Sequence, residues 1–256
     1  HSKTMLRSKE SDIARRYYGN TAKIGHQAVR EAEPSVMDIP TRAEVSELLV
    51  DANARNPGPW YQHSLYAAQA AQLIAAQCPN LSEERAFALA GLHDIGRREG
   101  YTHLHHAVCG YDFMIKRGFE AVARICVTHS FPVKEVDSYF GKQDCSDDEL
   151  RFLSDYLRST EYDEYDKLVQ LCDAVSAADG FCLVEKRLVD VMARNGSNEY
   201  SQAKVEAFRD LCKYFGEKIG QSIYCLLPGV VENTFGIEAR NSGYEHMNVL
   251  GFQGTE

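Results

Sequence analysis

The chain has no run that approaches the roughly 18 consecutive apolar residues of a membrane span. Its first twenty residues, HSKTMLRSKESDIARRYYGN, hold no apolar core of the kind an export signal needs. Both lacks set the expectation of a cytoplasmic protein with no membrane role. An excess of positive charge is missing too: 28 Lys and Arg stand against 37 Asp and Glu, a formal net charge of −9. A surface for polymeric nucleic acid is normally basic, so a nucleic-acid polymer is not the expected partner. An acidic protein can still bind phosphates where a metal cation reverses the local field. No C-x-x-C pair occurs among the eight cysteines, at 78, 109, 126, 145, 172, 182, 212 and 225. They are scattered and mostly set in apolar stretches, as Cys126 is in AVARICVTH, which reads as free thiols in a reducing compartment. There is no internal repeat, no low-complexity tract and no convincing run of alternating strand pattern.

What is present is helical texture. Residues 1–40 are polar and irregular and read as an N-terminal extension, partly helical around Asp12–Tyr18. From Thr41 the pattern is helical, and 41–256 reads as a single all-α domain, a helix bundle. Thr41 with Glu44 three residues on forms a capping-box sequence. The helix it opens runs to about Asn56 and is stopped by Pro57-Gly58-Pro59. Further helices are predicted over 60–77, from Ser82 to Gly96, over 105–117 and over 120–128. A polar loop covers 132–146. Three more helices are predicted at 147–158, 164–178 and 183–194, and Asn195-Gly196 marks a turn. A long helix over 199–226 carries Leu211, Phe215, Ile219, Ile223 and Leu226 at three- and four-residue spacing, one apolar face. That stripe would be buried internally or against a second copy, which leaves a homodimer possible. The tail after Pro228-Gly229 is poorly specified.

Three places along these helices carry chemistry. In Gly91-Leu92-His93-Asp94-Ile95-Gly96 an imidazole and a carboxylate are adjacent near the end of an apolar helix. Helical neighbours point about 100° apart, so one can face a cation while the other approaches from the side. A carboxylate can bridge two cations, which an imidazole cannot. His63 stands in the first turn of a helix rich in Ala, Leu and Ile. Asp173, in Leu171-Cys172-Asp173-Ala174, is flanked by apolar residues at helical spacing, and buried carboxylates are rare unless paired or ligating.

The order His63, then His93-Asp94, then Asp173, each on its own predicted helix, resembles the HD-domain superfamily of metal-dependent phosphohydrolases. The resemblance covers about residues 60–180. It implies that these four residues bind a first metal. His106, which opens His-Ala-Val-Cys-Gly110, and His129, which ends Ile125-Cys-Val-Thr-His129, match the two extra histidines of members that hold a second metal, with Asp94 bridging. His103 and His105 are close enough to His106 to be rivals for its place. The implied metal set is therefore His63, His93, Asp94, His106, His129 and Asp173. Imidazole and carboxylate ligands without thiolate suit Fe, Mn, Co, Ni or Zn, and four histidines argue against an all-oxygen Mg or Ca site. His26 and His246 read as surface residues.

The resemblance implies a divalent transition metal, two ions in the full set, and hydrolysis of a phosphomonoester or phosphoanhydride in a small phosphate-containing substrate, a nucleotide or dinucleotide. Cations lower the pKa of water and yield a nucleophile near neutral pH. The catalytic candidates are Asp94, Arg97 and His105. Arg97 would hold outer phosphates, with Arg98, Lys134 and Lys142 as further candidates, and Tyr101 or His105 would orient a substrate oxygen or give a proton to the leaving group. Two alternatives use the same residues: a di-iron oxygenase acting on a small alcohol or phosphonate, and a non-catalytic nucleotide-binding module.

Overall fold

A computed structural model describes residues 38–237. The helix expected at Asp12–Tyr18, and His26 and His246, lie outside the described residues. The architecture is the expected all-α bundle. In chain order the helices are α1 (Arg42–Arg55), α2 (Pro59–Ala75), α3 (Glu83–Gly91), α4 (His105–Ile115), α5 (Glu120–Thr128), α6 (Asp147–Ser159), α7 (Glu164–Ala174), α8 (Val184–Asn195), α9 (Ser201–Ile219) and α10 (Val230–Phe235). Short 3-10 turns occupy Ile95–Glu99, Val136–Ser138 and Ile223–Leu226.

The capping signals act as the sequence says. The Thr41 hydroxyl accepts from Glu44 N, and Glu44 returns a carboxylate oxygen to Thr41 N at 2.8 Å. Ser146 with Glu149 and Asp163 with Asp166 form the same reciprocal device at α6 and α7, satisfying backbone donors that a first helical turn leaves bare. Pro59 at the first position of α2 needs no such partner. The alanine-rich α2 buries Ala67, Ala68, Ala70, Ala71 and Ile74, and lies mainly against α3. Small side chains permit that approach: a Cβ on Gly91 would stand 3.4 Å from the Cβ of Ala68. The main core runs from Leu49 and Ile74 through Phe87 and Leu92 to Phe181 and Phe215. A second cluster, with Leu104, Val127, Phe131, Phe152 and Leu157, sits beneath α4, α5 and α6.

Three sequence expectations need correction, and each correction places a site residue. The helix expected to run to Gly96 ends at Gly91, so His93 and Asp94 are not on it. Leu92 (φ −106°, ψ 7°) and Asp94 (φ −102°, ψ 12°) leave helical geometry, and a 3-10 turn follows. The cause is a backbone crossing. A Cβ on Gly96 would lie 1.9 Å from His106 O and 2.5 Å from Gly110 N, and one on Gly110 would lie 2.8 Å from Cys126 Sγ. The chain turns to press Gly96 onto α4, which brings Asp94 beside His106.

The helix expected over 164–178 ends at Ala174. A minimal antiparallel hairpin follows, β1 (Ser176–Ala177) paired with β2 (Gly180–Phe181) in the register Ser176↔Phe181 and Ala177↔Gly180. Gly180 sits at φ +146°, where a Cβ is costly, so the turn belongs to glycine. The long helix expected over 199–226 stops at Ile219. Gly220 takes φ +70°, and Gln221 N closes back on Gly216 O at 3.1 Å, a left-handed helix end. The apolar spacing continues past this break because Ile223 returns to the core in a 3-10 turn. Phe208, Leu211 and Phe215 are buried within the chain. In the tail, the unforeseen α10 begins at Val230. All eight cysteines are free, four of them buried and Cys225 exposed. Among the described residues no helix is long and apolar enough to cross a membrane.

The glycine crossing is testable. Gly96→Ala must push the His106 backbone aside, since the obstacle is main chain. We expect a loss of about 1–3 kcal/mol or more in chemical denaturation, whereas Gly118→Ala, where nothing lies within 4 Å, is strained only by its own φ of +78°. Equal stability of Gly96→Ala and the parent chain would refute the crossing.

Candidate metal centre

The four histidines arrive from four directions and are oriented by one device. In each ring Nδ1 faces a main-chain carbonyl. His63 Nδ1 is 3.0 Å from Ser176 O of the hairpin, His93 Nδ1 is 2.6 Å from Ala90 O at the end of α3, and His129 Nδ1 is 3.0 Å from Ile125 O of α5. His106 Nδ1 meets His103 O. A carbonyl only accepts, so Nδ1 carries the proton in every ring and Nε2 of the neutral imidazole presents a bare lone pair. Burial pushes the His63 pKa down, and burial with the neighbouring His93 pushes that of His129 down to about 3. The second proton that would make these rings cations is therefore unfavourable.

The bare nitrogens converge. His63 Nε2 and His93 Nε2 are 3.2 Å apart, and Asp173 Oδ1 lies 3.0 and 3.9 Å from them. His106 Nε2 and His129 Nε2 are 3.3 Å apart, with Asp94 Oδ1 at 3.1 and 3.6 Å. Asp94 Oδ1 is buried and receives no hydrogen bond, because the nitrogen beside it has no proton to give. Two clusters of the form His–His–Asp thus set lone pairs against lone pairs. Donors around a tetrahedral ion with bonds of about 2.1 Å lie about 3.4 Å apart, close to these spacings. The residues present fit a bound cation, and close groups of three candidate ligands include His63, His93 and Asp173, and His93, Asp94 and His129. A neutral imidazole has one free lone pair, so His93 can serve one ion only.

Both carboxylates are held ionised. Burial opposes this, but Arg97 and then His106 and His93 hold Asp94 well below the usual range. Burial likewise opposes the Asp173 carboxylate, and its pKa falls through His63 and then His93 only where those rings take up a second proton. Arg97 Nε donates to Asp94 Oδ2 at 2.6 Å, Nη1 donates to Thr102 O, and Asn56 Nδ2 fastens the Arg97 carbonyl at 2.6 Å. Arg97 takes one lone pair of Oδ2, which also lies 3.9 Å from His93 Nε2, while Oδ1 faces His106 and His129. Each oxygen keeps a lone pair for the bridging role expected of Asp94.

A cavity of about 400 Å³ opens above the clusters, with His63, Asp94, His129 and Asp173 in its floor. Arg97, His103 and Tyr101 reach it, as the sequence suggested for Arg97 and Tyr101. The structure does not bring His105 there. Its Nε2 lies 3.3 Å from Glu149 Oε1 and its ring touches Cys109, so the catalytic role expected of it has no access to the floor. Arg98 turns away to Asp51 and the Phe113 ring. Lys134 is spent on Thr160 O, and Lys142 lies outside the residues that line the cavity. Between the rival histidines, it is His106 that reaches Asp94.

Sequence reading missed Arg187, Arg194, Lys204 and Tyr139, all in the cavity wall. A signal existed. Lys204 precedes Phe208, Leu211 and Phe215 at four-, three- and four-residue steps, a charge in register with an apolar stripe. Burial pushes the Lys204 ammonium down to about 8 and the Tyr139 hydroxyl upward.

A helical bundle that gathers imidazoles and carboxylates at the floor of a cavity is a metal-site architecture. Residues 60–178 match the family model of the HD domain, and all six clustered residues fall inside that stretch. That stretch carries an HD domain, a match consistent with the HD-domain superfamily. No curated protein and no solved structure matches it significantly.

The lowered imidazole pKa values fix the pH dependence of the metal-free chain. Unfolding returns His63 and His129 to about 6.5. Below that pH the unfolded chain takes up protons that the folded chain refuses, so stability falls as pH falls. The depressed carboxylates lose their contribution only below their unfolded value of 3.8. Between pH 6.5 and about 5.5 the slope therefore belongs to the histidines, since the depressed Glu44, Glu149 and Glu164 enter only as pH nears their unfolded value of 4.5. Denaturant midpoints of EDTA-treated protein should fall across that window, less steeply in His129→Asn; a flat profile would contradict the assignment of neutral rings.

Proposed function

We propose that this chain is a metal-dependent phosphohydrolase that cleaves a phosphomonoester or phosphoanhydride bond in a small, nucleotide-like molecule. The observation that carries this reading is the pairing of two His–His–Asp clusters with a cavity whose wall is cationic. Its volume lies in the range of small-molecule sites, which fits a mononucleotide or dinucleotide better than a polymer.

In this reading His63, His93 and Asp173 hold one divalent transition ion, and His106, His129 and Asp94 hold a second. Such ions supply an activated water and neutralise charge on a phosphoryl group. The protein's own part is orientation. The carbonyls of Ser176, Ala90, His103 and Ile125 fix the rings before any ligand arrives, and such outer partners set ligand basicity and geometry. Arg97 keeps Asp94 ionised and turns Oδ1 toward His106 and His129. Its remaining edge faces the cavity, where a planar guanidinium suits phosphate oxygens. Trp60 and Phe208 line the same cavity and offer apolar surface to a base or other ring.

The test is metal analysis of protein purified without added metal, followed by phosphate release across a panel of phosphomonoesters and nucleotides. One or two transition ions per chain are expected, with release abolished by EDTA and restored by the metal found. His93→Ala and Asp94→Ala should lower turnover more than about 100-fold, beyond the usual effect of losing an outer partner. Turnover that requires iron and consumes O₂ would replace this reading with the di-iron oxygenase. Tight nucleotide binding without turnover would replace it with a binding module.

A further inference from the structure

Among the described residues, two cations in the cavity wall have no carboxylate at hydrogen-bond distance. Arg187, in the first turn of α8, has a buried Nε with no hydrogen bond. Its nearest charge is Asp173 Oδ1, 4.0 Å from Nη2, too far for a hydrogen bond. Lys204, in the first turn of α9, is 4 % exposed. Its Nζ donates to the carbonyls of Ser130 and Ser138 at 3.1 and 3.0 Å and stands 4.5 Å from the centre of the Phe140 ring. Among the described residues its hydrogen bonds go to neutral acceptors and none to a carboxylate. An ammonium has three donors, so one is left over.

Both side chains line the cavity that holds the metal-cluster residues, and both come from helices beyond the HD-domain match at 60–178. Burying a charge without a counter-charge is costly. The cost rises when Asp173 is committed to a cation, because Arg187 then shares its ion-pair partner with that cation and keeps only the exposed Asp190 of its own helix as a further negative group nearby among the described residues. An anion in the cavity would offset it. The Arg187 fork matches the paired oxygens of a phosphate or carboxylate, while a lysine acts as a point charge beside it.

We infer that Arg187 and Lys204 form a second anion subsite, beside the cluster floor at Asp173, that holds a phosphate or carboxylate of the substrate other than the group attacked. The substrate class is then a small molecule with two anionic groups, one over the metal clusters and one on α8 and α9. The role of this subsite in turnover rests on the proposed hydrolase reading; the anion binding itself does not.

The experiment is calorimetric titration of the whole chain, EDTA-stripped and metal-reloaded, with inorganic phosphate and, separately, acetate. Phosphate binding that survives stripping is expected, weakened at least tenfold by Arg187→Ala and in part retained by Arg187→Lys. Competition by acetate identifies a subsite for any anionic oxygen pair; binding of phosphate alone identifies a phosphate subsite. Lys204→Met should weaken binding similarly, but Lys204 also ties the Ser130 and Ser138 segments together, so the Arg187 variants are the decisive ones. The inference is overturned if neither form binds phosphate, or if Arg187→Ala alters metal affinity alone and leaves phosphate binding unchanged in both forms, which would make Arg187 a counter-ion to Asp173. A chain that binds no metal and releases no phosphate, yet loses phosphate binding in Arg187→Ala, would refute the hydrolase and keep the subsite.

Discussion

Four hydrogen bonds from imidazole Nδ1 to main-chain carbonyls govern this molecule. Each fixes a tautomer, and together they aim four unprotonated nitrogens at one another and at two carboxylates. A protein core without a cation gains nothing from that arrangement: the facing atoms are all acceptors, and Asp94 Oδ1 is left without a donor. Acceptors at 3.0–3.3 Å repel unless something positive lies between them. The fold therefore stores an unfavourable interaction at its centre, which the rest of the bundle must hold in place and which binding of a cation would turn into stability.

The restraint is spread over several elements. Ser176 O is available only because α7 ends at Ala174 and the chain turns into the hairpin. His106 comes within reach of Asp94 only because Gly96 and Gly110 let two backbones touch. The end of α5, next to His129, is tied to the first turn of α7, the helix that carries Asp173, by Asp166. This buried carboxylate accepts from Arg124 and from Thr128 Oγ1 at 2.7 Å, and Gln170 Nε2 reaches Thr128 O at 3.0 Å. Buried charges of this kind are tolerated where every lone pair finds a donor. Asp166 meets that condition with protein groups, whereas Asp94 meets it on one oxygen only. The contrast separates a carboxylate that holds the fold together from one available to a ligand.

How far the sequence was legible follows from the range of each interaction. Capping at Thr41, the stop at Pro57-Gly58-Pro59 and the apolar register of most helices are local, and they read correctly. Motif order brought His63, His93, Asp94, His106, His129 and Asp173 together on paper, and the structure brings them together in space. What did not read was anything set by contact between distant segments. Nothing near Asp94 announces that Gly96 will press on His106, so the helical pattern extends too far. Nothing near Val175 announces that its carbonyl will pair with Cys182, so the hairpin was missed. His105 looked as suitable as any histidine near the motif, but a helix position one step from His106 points it to Glu149 instead. The apolar stripe runs unbroken across Gly220, so spacing alone predicts a helix that the glycine ends.

The cavity also reconciles an acidic chain with the anionic substrate proposed for it. A net charge of −9 gives no long-range attraction for phosphates, and charges more than about 8–10 Å away are screened at cellular salt in any case. What a ligand meets is the field inside the cavity. There Arg97 is already matched by Asp94, while among the described residues Arg187 and Lys204 are not matched by any carboxylate at hydrogen-bond distance. Metal ligation by the two aspartates would leave that wall more positive still. The two contributions come from different parts of the chain: the cluster from the HD-domain stretch, Arg187 and Lys204 from the helices that follow it. A shared metal-binding bundle can thus be directed to a particular substrate by the side chains that later helices lay across its mouth, without any change to the residues that hold the metal.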